Sequence, residues 1–255
     1  MNRPYKRVKY KNNPIVEVAC QINFPDILRI SKEEPVEFQE KIREKFPKYN
    51  NTKFPLLPEV FPGFTSPVKN THIFSTNDNE SSIKLSSDFI AYSVTTYNSW
   101  EDFYRPFEEI LNYFYEIYRP ADYTRTGIRY IDVFCRSELV SSGINENTAW
   151  CELIEPFFLG IMAEQDSNFS VVGFSSNTNI KFADETKANL VTALGKTNKT
   201  NEDVFVLNGD YYVDSPVRHS DLKSRLDSLH VHSGEILQKG IKETLHKAMG
   251  PVDYD

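Results

Sequence analysis

The sequence predicts an α+β fold built from two similarly ordered halves, each running strand, helix, antiparallel meander, long helix. Three observations predict it. Short β-branched and aromatic runs bounded by turn residues recur along the chain. Two long stretches carry apolar residues at helical spacing. The same order of elements occurs over residues 15–118 and again over 124–248, a recurrence of pattern without residue identity. The 18 Phe and 14 Tyr favour a sheet-rich core with large packing units.

Residues 1–14 read as a basic N-terminal tail, 15–120 as the first α+β half and 121–255 as the second, with one continuous domain as the other division. The tail carries Arg3, Lys6, Arg7, Lys9 and Lys11 with no acid, interleaved with Tyr5 and Tyr10, and these five cations are the candidate binding residues. A charge run of this kind is commonly a solvated or edge-protecting segment. Residues 12–24, NNPIVEVACQINF, read as a central strand entered through Pro14. Ser31 and Glu34 suggest a capping box for a helix reaching Phe46, with Phe38, Ile42 and Phe46 on one stripe and Pro47 ending it.

Five prolines within residues 47–69 exclude a helix or central strand, and Phe54, Phe61 and Phe64 suggest a long covering loop. Strands are expected at 71–76, 82–87 and 89–96. A long helix should follow, capped by Ser99 and Asp102, with Phe103, Phe107, Ile110, Leu111, Phe114 and Ile117 on one wide apolar stripe and a bend at Pro106. In the second half a strand is expected over 123–135, a loop over 137–147 and a short helix over 151–161 interrupted by Pro156. Four strands should come next, at 169–174, 179–183, 188–195 and 204–213. The last helix starts at Ser220 or Asp221 and ends at Gly250 and Pro251, weakened by Gly234 and Gly240. Two such halves would form an antiparallel sheet with both long helices on one face, like the helix-grip or TATA-binding-protein saddle.

A net charge of −7 disfavours a nucleic-acid saddle, because phosphate binding is driven by cations that release counterions. Tyr92, Tyr97, Tyr211 and Tyr212 therefore read as cross-strand packing before base-stacking platforms. Cys20, Cys135 and Cys151 lack metal or disulfide spacing and read as reduced core residues of a cytoplasmic protein. No apolar run approaches the roughly 18 residues of a membrane span.

No catalytic or cofactor motif stands out, and no metal set is assigned. His230 and His232, at i and i+2, would point apart on a helix, whereas a shared ion needs i and i+4. GKTNKT at 195–200 lacks phosphate-loop spacing. Glu17 and Asp132 both interrupt apolar strands and form a candidate core polar pair, for which Arg125, Arg129 or Lys84 could serve as bases. Joined by Asp210 and Asp214, they are also the only strand-borne set from which a metal-dependent hydrolase or nuclease could be drawn.

The opening N-x-P-I-V-E-V-x-C-x-x-x-F at 12–24 resembles the N-terminal signature of a sporadically distributed prokaryotic protein family of about this length. GIRYIDVF at 127–134 is similar to the family's L-R-Y-I-N segment, with Asp132 in place of the usual Asn. LDSLHVHSGEILQKGI resembles its final helix, with a Leu-x-x-Leu-His element at Leu226, Leu229 and His230. The resemblance implies a shared fold and a patchy bacterial distribution of the kind expected for accessory or defence-associated genes; it implies no activity. The resulting expectation is a non-enzymatic binding or assembly protein, an accessory or regulatory component of a bacterial defence or toxin-linked system, with another protein as partner and no cofactor. A nucleic-acid adaptor acting through the tail is the remaining alternative, and homo-oligomerisation is left open.

Overall fold

The computed structural model describes residues 5–55, 68–164 and 170–253. It is a mixed α+β protein with a large antiparallel sheet. In chain order the elements are β1 (Val8–Tyr10), β2 (Ile15–Asn23), α1 (Leu28–Lys32), α2 (Val36–Ile42), β3 (Lys48–Pro55), β4 (Val68–Ser75), β5 (Ser81–Ser86), β6 (Phe89–Val94) and α3 (Trp100–Tyr118). They continue with β7 (Arg125–Phe134), α4 (Trp150–Leu153), α5 (Pro156–Leu159), β8 (Ser175–Lys181), β9 (Lys187–Lys196), β10 (Asp203–Val213), α6 (Leu222–Gly240), α7 (Glu243–Ala248) and β11 (Pro251–Asp253). The chain divides into two compact units. The first comprises Met1–Val18, Ile128–Val213 and Leu226–Asp255, and the second Ala19–Gly127 and Asp214–Arg225.

In the second unit the strands run β3-β4-β5-β6-β2, with β3 at the edge. Alternation along β6 buries Ile90, Tyr92 and Val94, and α3 covers this side. Tyr92 lies against Phe103 and Phe107 at ring separations of 5.2 and 5.8 Å, so its role in the fold is packing. The helix starts where the sequence marks it: Ser99 Oγ accepts the Asp102 N–H at 3.1 Å and donates to Asp102 Oδ2 at 2.7 Å. It runs on through Pro106 and stops at Arg119, which takes a left-handed conformation ahead of Pro120.

Two expectations need correction in this unit. The helix expected from Ser31 to Phe46 is broken into α1 and α2, because Pro35 cannot donate a backbone hydrogen bond; Pro35 stands at the start of α2, which has no side-chain cap. Residues 48–55 form a strand instead of loop, paired in register with β4 from Lys48↔Ser75 to Pro55↔Val68. The proline at its end is tolerated because the strand lies on an edge. Residues 56–67 of the Pro-rich segment lie outside the described residues.

In the first unit the order is β7-β10-β9-β8, and β1 pairs separately with β11. Residues 170–174, expected as a strand, are irregular, and residue 169 lies outside the described residues. The final helix is likewise divided, into α6 and α7. Gly240 does more than weaken it: a Cβ there would stand 1.8 Å from the buried ring of Phe158, so the α6 end approaches α5 only as glycine. Leu226 and Leu229 form the buried row of α6 in this unit.

Strands β2 and β7, each running through both units, are hydrogen-bonded neighbours, as their sequence likeness suggests. Val133 N–H donates to the Pro14 carbonyl in the first unit, and Thr124 N–H to the Asn23 carbonyl in the second, each at 2.8 Å. Among the described residues no helix is long and apolar enough to cross a membrane.

Candidate functional site

The basic run at the N-terminus is tied into the fold where it is described. Arg3 lies outside the described residues. Lys9 sits in β1, Lys6 offers its carbonyl to Gln238 Nε2 at 2.7 Å, and Lys11 donates its N–H to the Gly250 carbonyl at 3.1 Å. Lys6 and Lys11 are exposed while Arg7 and Lys9 are half-buried, so the four described cations do not present one continuous open face.

The two strand-borne acids occupy different environments. Asp132 is 4% exposed and alternates with Tyr130 and Phe134 on the covered side of β7. Glu17 is half-exposed and falls between the exposed Val16 and the buried Val18 of β2. The expected pairing of Asp132 to a base is not found. Its Oδ1 has no hydrogen-bond partner, Arg129 Nε donates to Asn208 Oδ1 at 2.8 Å, and Arg125 faces Asp214 at 3.8 Å. Burial alone pushes the Asp132 carboxyl up to about 7, which keeps it largely protonated in slightly acidic solution. Asp210 lies on the half-exposed side of β10. Among the described residues no group of three or more His, Cys, Asp or Glu could hold a metal ion.

Histidine chemistry is absorbed in a repeated structural device. Four of the five histidines hydrogen-bond a tyrosine hydroxyl through Nδ1: His246 with Tyr10 at 2.8 Å, His72 with Tyr49 at 3.0 Å, His219 with Tyr123 at 2.9 Å and His230 with Tyr130 at 2.8 Å. Each pair satisfies two polar groups at the edge of an apolar core. For His72 and His219, burial lowers the pKa and favours the neutral ring. His232 differs: it stacks on Phe182 with centroids 4.1 Å apart and meets Asp184 Oδ2 through Nε2 at 2.8 Å. His230 and His232 thus point to separate partners, as expected of helical i and i+2 positions.

A concavity lies elsewhere, in the first unit. A cleft of about 1100 Å³ opens between the turn after β7, α4, the irregular residues before β8 and the far end of β9. Arg136 is its main charged feature. The guanidinium lies over the Trp150 ring with Cζ 4.5 Å from the centroid, and Nη1 donates to the Thr148 carbonyl at 2.8 Å. Its Nε is sealed from solvent and has no acceptor.

The turn that carries Arg136 is clamped by Glu202 in the β9–β10 hairpin. Oε1 accepts the Ser137 N–H at 3.0 Å, while Oε2 accepts the Ser137 hydroxyl at 2.6 Å and the Cys135 thiol at 3.1 Å. Burial opposes the Glu202 charge, but these hydrogen bonds and the nearby Arg136 outweigh it and hold the carboxyl below its usual range. The Cys135 thiol is pushed up, first by burial and further by Glu202, which makes it a hydrogen-bond donor and a poor nucleophile.

Met162, Val172 and Leu194 give the cleft apolar walls, Cys151 lies in its lining, and Lys196 is neutralised by Asp203 at 2.9 Å. Val172 is 98% exposed, and the neighbouring helical segment exposes Phe157 and Ile161 at 60% each. None of Arg136, Trp150 or Val172 was marked by the sequence pattern. Arg136 closes a strand, Trp150 opens a short helix, and the run containing Val172 reads as a buried strand when its alternation is taken alone.

Compared with known proteins, the chain matches no family model and no curated protein.

Proposed function

We propose that this chain is a non-enzymatic binding protein that engages another protein through the cleft of the first unit. The observation that carries this reading is the contrast between the titratable groups and the cleft. Histidines are tied to tyrosines or Asp184 and the strand-borne acids are dispersed, whereas the cleft joins exposed apolar side chains to an arginine held over Trp150. Exposed apolar residues beside a polar anchor are the usual anatomy of a protein contact.

The wider role, an accessory or regulatory component of a bacterial defence or toxin-linked system acting in the cytoplasm, rests on the resemblance in the N-terminal signature. Cys20, Cys135 and Cys151, none of them in a disulfide, agree with a reducing compartment. The finer fold reading belongs to the same proposal: two pseudo-repeats in a helix-grip or TATA-binding-protein-like arrangement, supported by the order strand, short helices, antiparallel strands, long helix over 15–118 and 125–240.

The test places a photo-crosslinking amino acid at position 172, and as a control at the exposed Lys32 of the second unit, in the full chain expressed in its native cells. A discrete protein adduct from position 172 and none from position 32 is expected. Equal labelling from both positions, or no adduct at 172, overturns the reading.

A further inference from the structure

The cleft coincides with an unfinished ladder. β10 pairs with β9 along its full length, from Tyr212↔Lys187 to Asp203↔Lys196. On the other side, β8 pairs only from Lys181↔Lys187 to Ser175↔Ala193, followed by one further bond from Leu194 N–H to the Phe174 carbonyl at 3.0 Å. Continuing that register would set Val172 opposite Lys196, but the chain has left the sheet there and Val172 stands in solvent. Backbone groups alternate sides along a strand, so Lys196 turns its N–H and C=O the same way as Leu194, toward the missing continuation of β8. No backbone partner occupies that place among the described residues.

Resting on the binding reading above, we propose that the cleft takes the C-terminal end of an extended peptide. Its last residues would add to the free end of β9 beside Lys196, an apolar final side chain would enter between Met162, Val172 and Leu194, and the terminal carboxylate would meet Arg136. Strand addition supplies main-chain hydrogen bonds while pockets read alternate side chains. The ligand must end here for a steric reason: an added strand arriving from the hairpin end meets β8 after the Lys196 position and cannot run on along β9.

A carboxylate suits Arg136 because the guanidinium lines the cleft, Nη1 is anchored on the Thr148 carbonyl and the aromatic face of Trp150 fixes its plane. The same stacking covers that face of Trp150 against a nucleobase. Lys196 is already balanced by Asp203 and Arg136 has Glu202 nearby, which leaves no cradle for a polyphosphate.

The probe is a pool of fluorescein-labelled hexapeptides with randomised inner positions and Val, Leu or Phe last, prepared as free acids and as C-terminal amides. Binding to the full chain is read by anisotropy. A second readout is the rate at which a maleimide modifies Cys151, the half-exposed thiol in the cleft lining; Cys20 and Cys135 are buried. The free-acid pool should bind, slow Cys151 modification at least threefold, and outbind the amide pool by about tenfold, the effect of one charge-assisted hydrogen-bonded pair.

Arg136→Gln should bring acid binding down to the amide level. Since that change also removes the contact with Trp150, Val172→Glu serves as the variant that cannot disturb packing, and it should weaken binding by a similar factor. Equal affinity for acids and amides, or binding that leaves Cys151 reactivity and Val172→Glu unaffected, overturns the proposal. If neither pool binds while position 172 still crosslinks to a protein, the peptide-terminus proposal falls and the binding reading stands. If free acids bind but no crosslink forms, the protein-partner reading is the one that fails.

Discussion

Strands β2 and β7 look alike as sequences, each an apolar run with one acid and a cysteine near its end, yet they treat the acid oppositely. In β2 the buried residues are Val18, Cys20 and Ile22, and Glu17 has the other parity. In β7 the buried residues are Tyr130, Asp132 and Phe134, so the acid shares the parity of the core. Because side chains alternate with period two, a shift of one position decides between a half-solvated carboxylate and one enclosed in apolar surroundings. Similar composition thus produces one strand whose acid stays half-exposed and one whose acid carries a pH-dependent penalty.

The largest effect should come from making β2 imitate β7. Val18→Asp would bury an unpaired carboxylate at a fully buried site and remove apolar packing, at a cost on the order of 5 kcal/mol at pH 8 that shrinks toward pH 5. Urea unfolding at the two pH values measures it, and wild-type stability at pH 8 would contradict the assignment of β2's covered side.

Asp132→Asn performs the reverse operation on β7. The native carboxyl titrates at about 7 and the unfolded one near 3.8, so between those values the native state holds the extra proton. Stability of the wild type should therefore fall as pH rises from about 4 to about 7 and stay low above that. The separation corresponds to on the order of 4 kcal/mol as an upper bound. The Asn variant should gain stability at pH 8, gain almost none at pH 4, and flatten the profile. A wild-type profile already flat from pH 5 to pH 8 would refute the buried-acid account.

A smaller change tests the helix contact above the same strand. Tyr130→Phe removes the 2.8 Å bond to His230 while keeping the ring, for an expected loss of about 1 kcal/mol in the unfolding free energy. Smallest of all, Glu17→Gln, at a half-exposed position, should alter stability by less than about 0.5 kcal/mol. A larger loss would mean that β2 and β7 are less different than their parity indicates.

The parts of the fold legible in the sequence are those whose causes are local. The Ser99 cap and the Phe103, Phe107, Ile110 and Leu111 stripe define α3 without reference to any neighbour, and alternation in 204–213 defines β10. Elements that need a partner were harder to see. β3 is polar and ends in proline, so only its ladder with β4 makes it a strand; β1 is three residues long and exists by pairing with β11. The run at 169–174 fails in the opposite sense, since its aromatic and β-branched content suits a strand but 170–174 pair with β9 through one bond alone. The candidate cleft was almost invisible for the same reason. Arg136, Trp150, Val172 and Lys196 come from four separated stretches, and no spacing links them.

The sequence by itself determined the α+β class, the long capped helix, the likeness of β2 and β7 and the presence of an acid on each, because hydrophobic period, capping chemistry and composition act within a few residues. Only the tertiary structure decided which acid is buried, which histidines meet tyrosines, and where β9, among the described residues, runs beyond its pairing with β8. Those outcomes depend on what lies across from each residue, and the partner across a sheet or beneath a helix stands tens to hundreds of positions away along the chain.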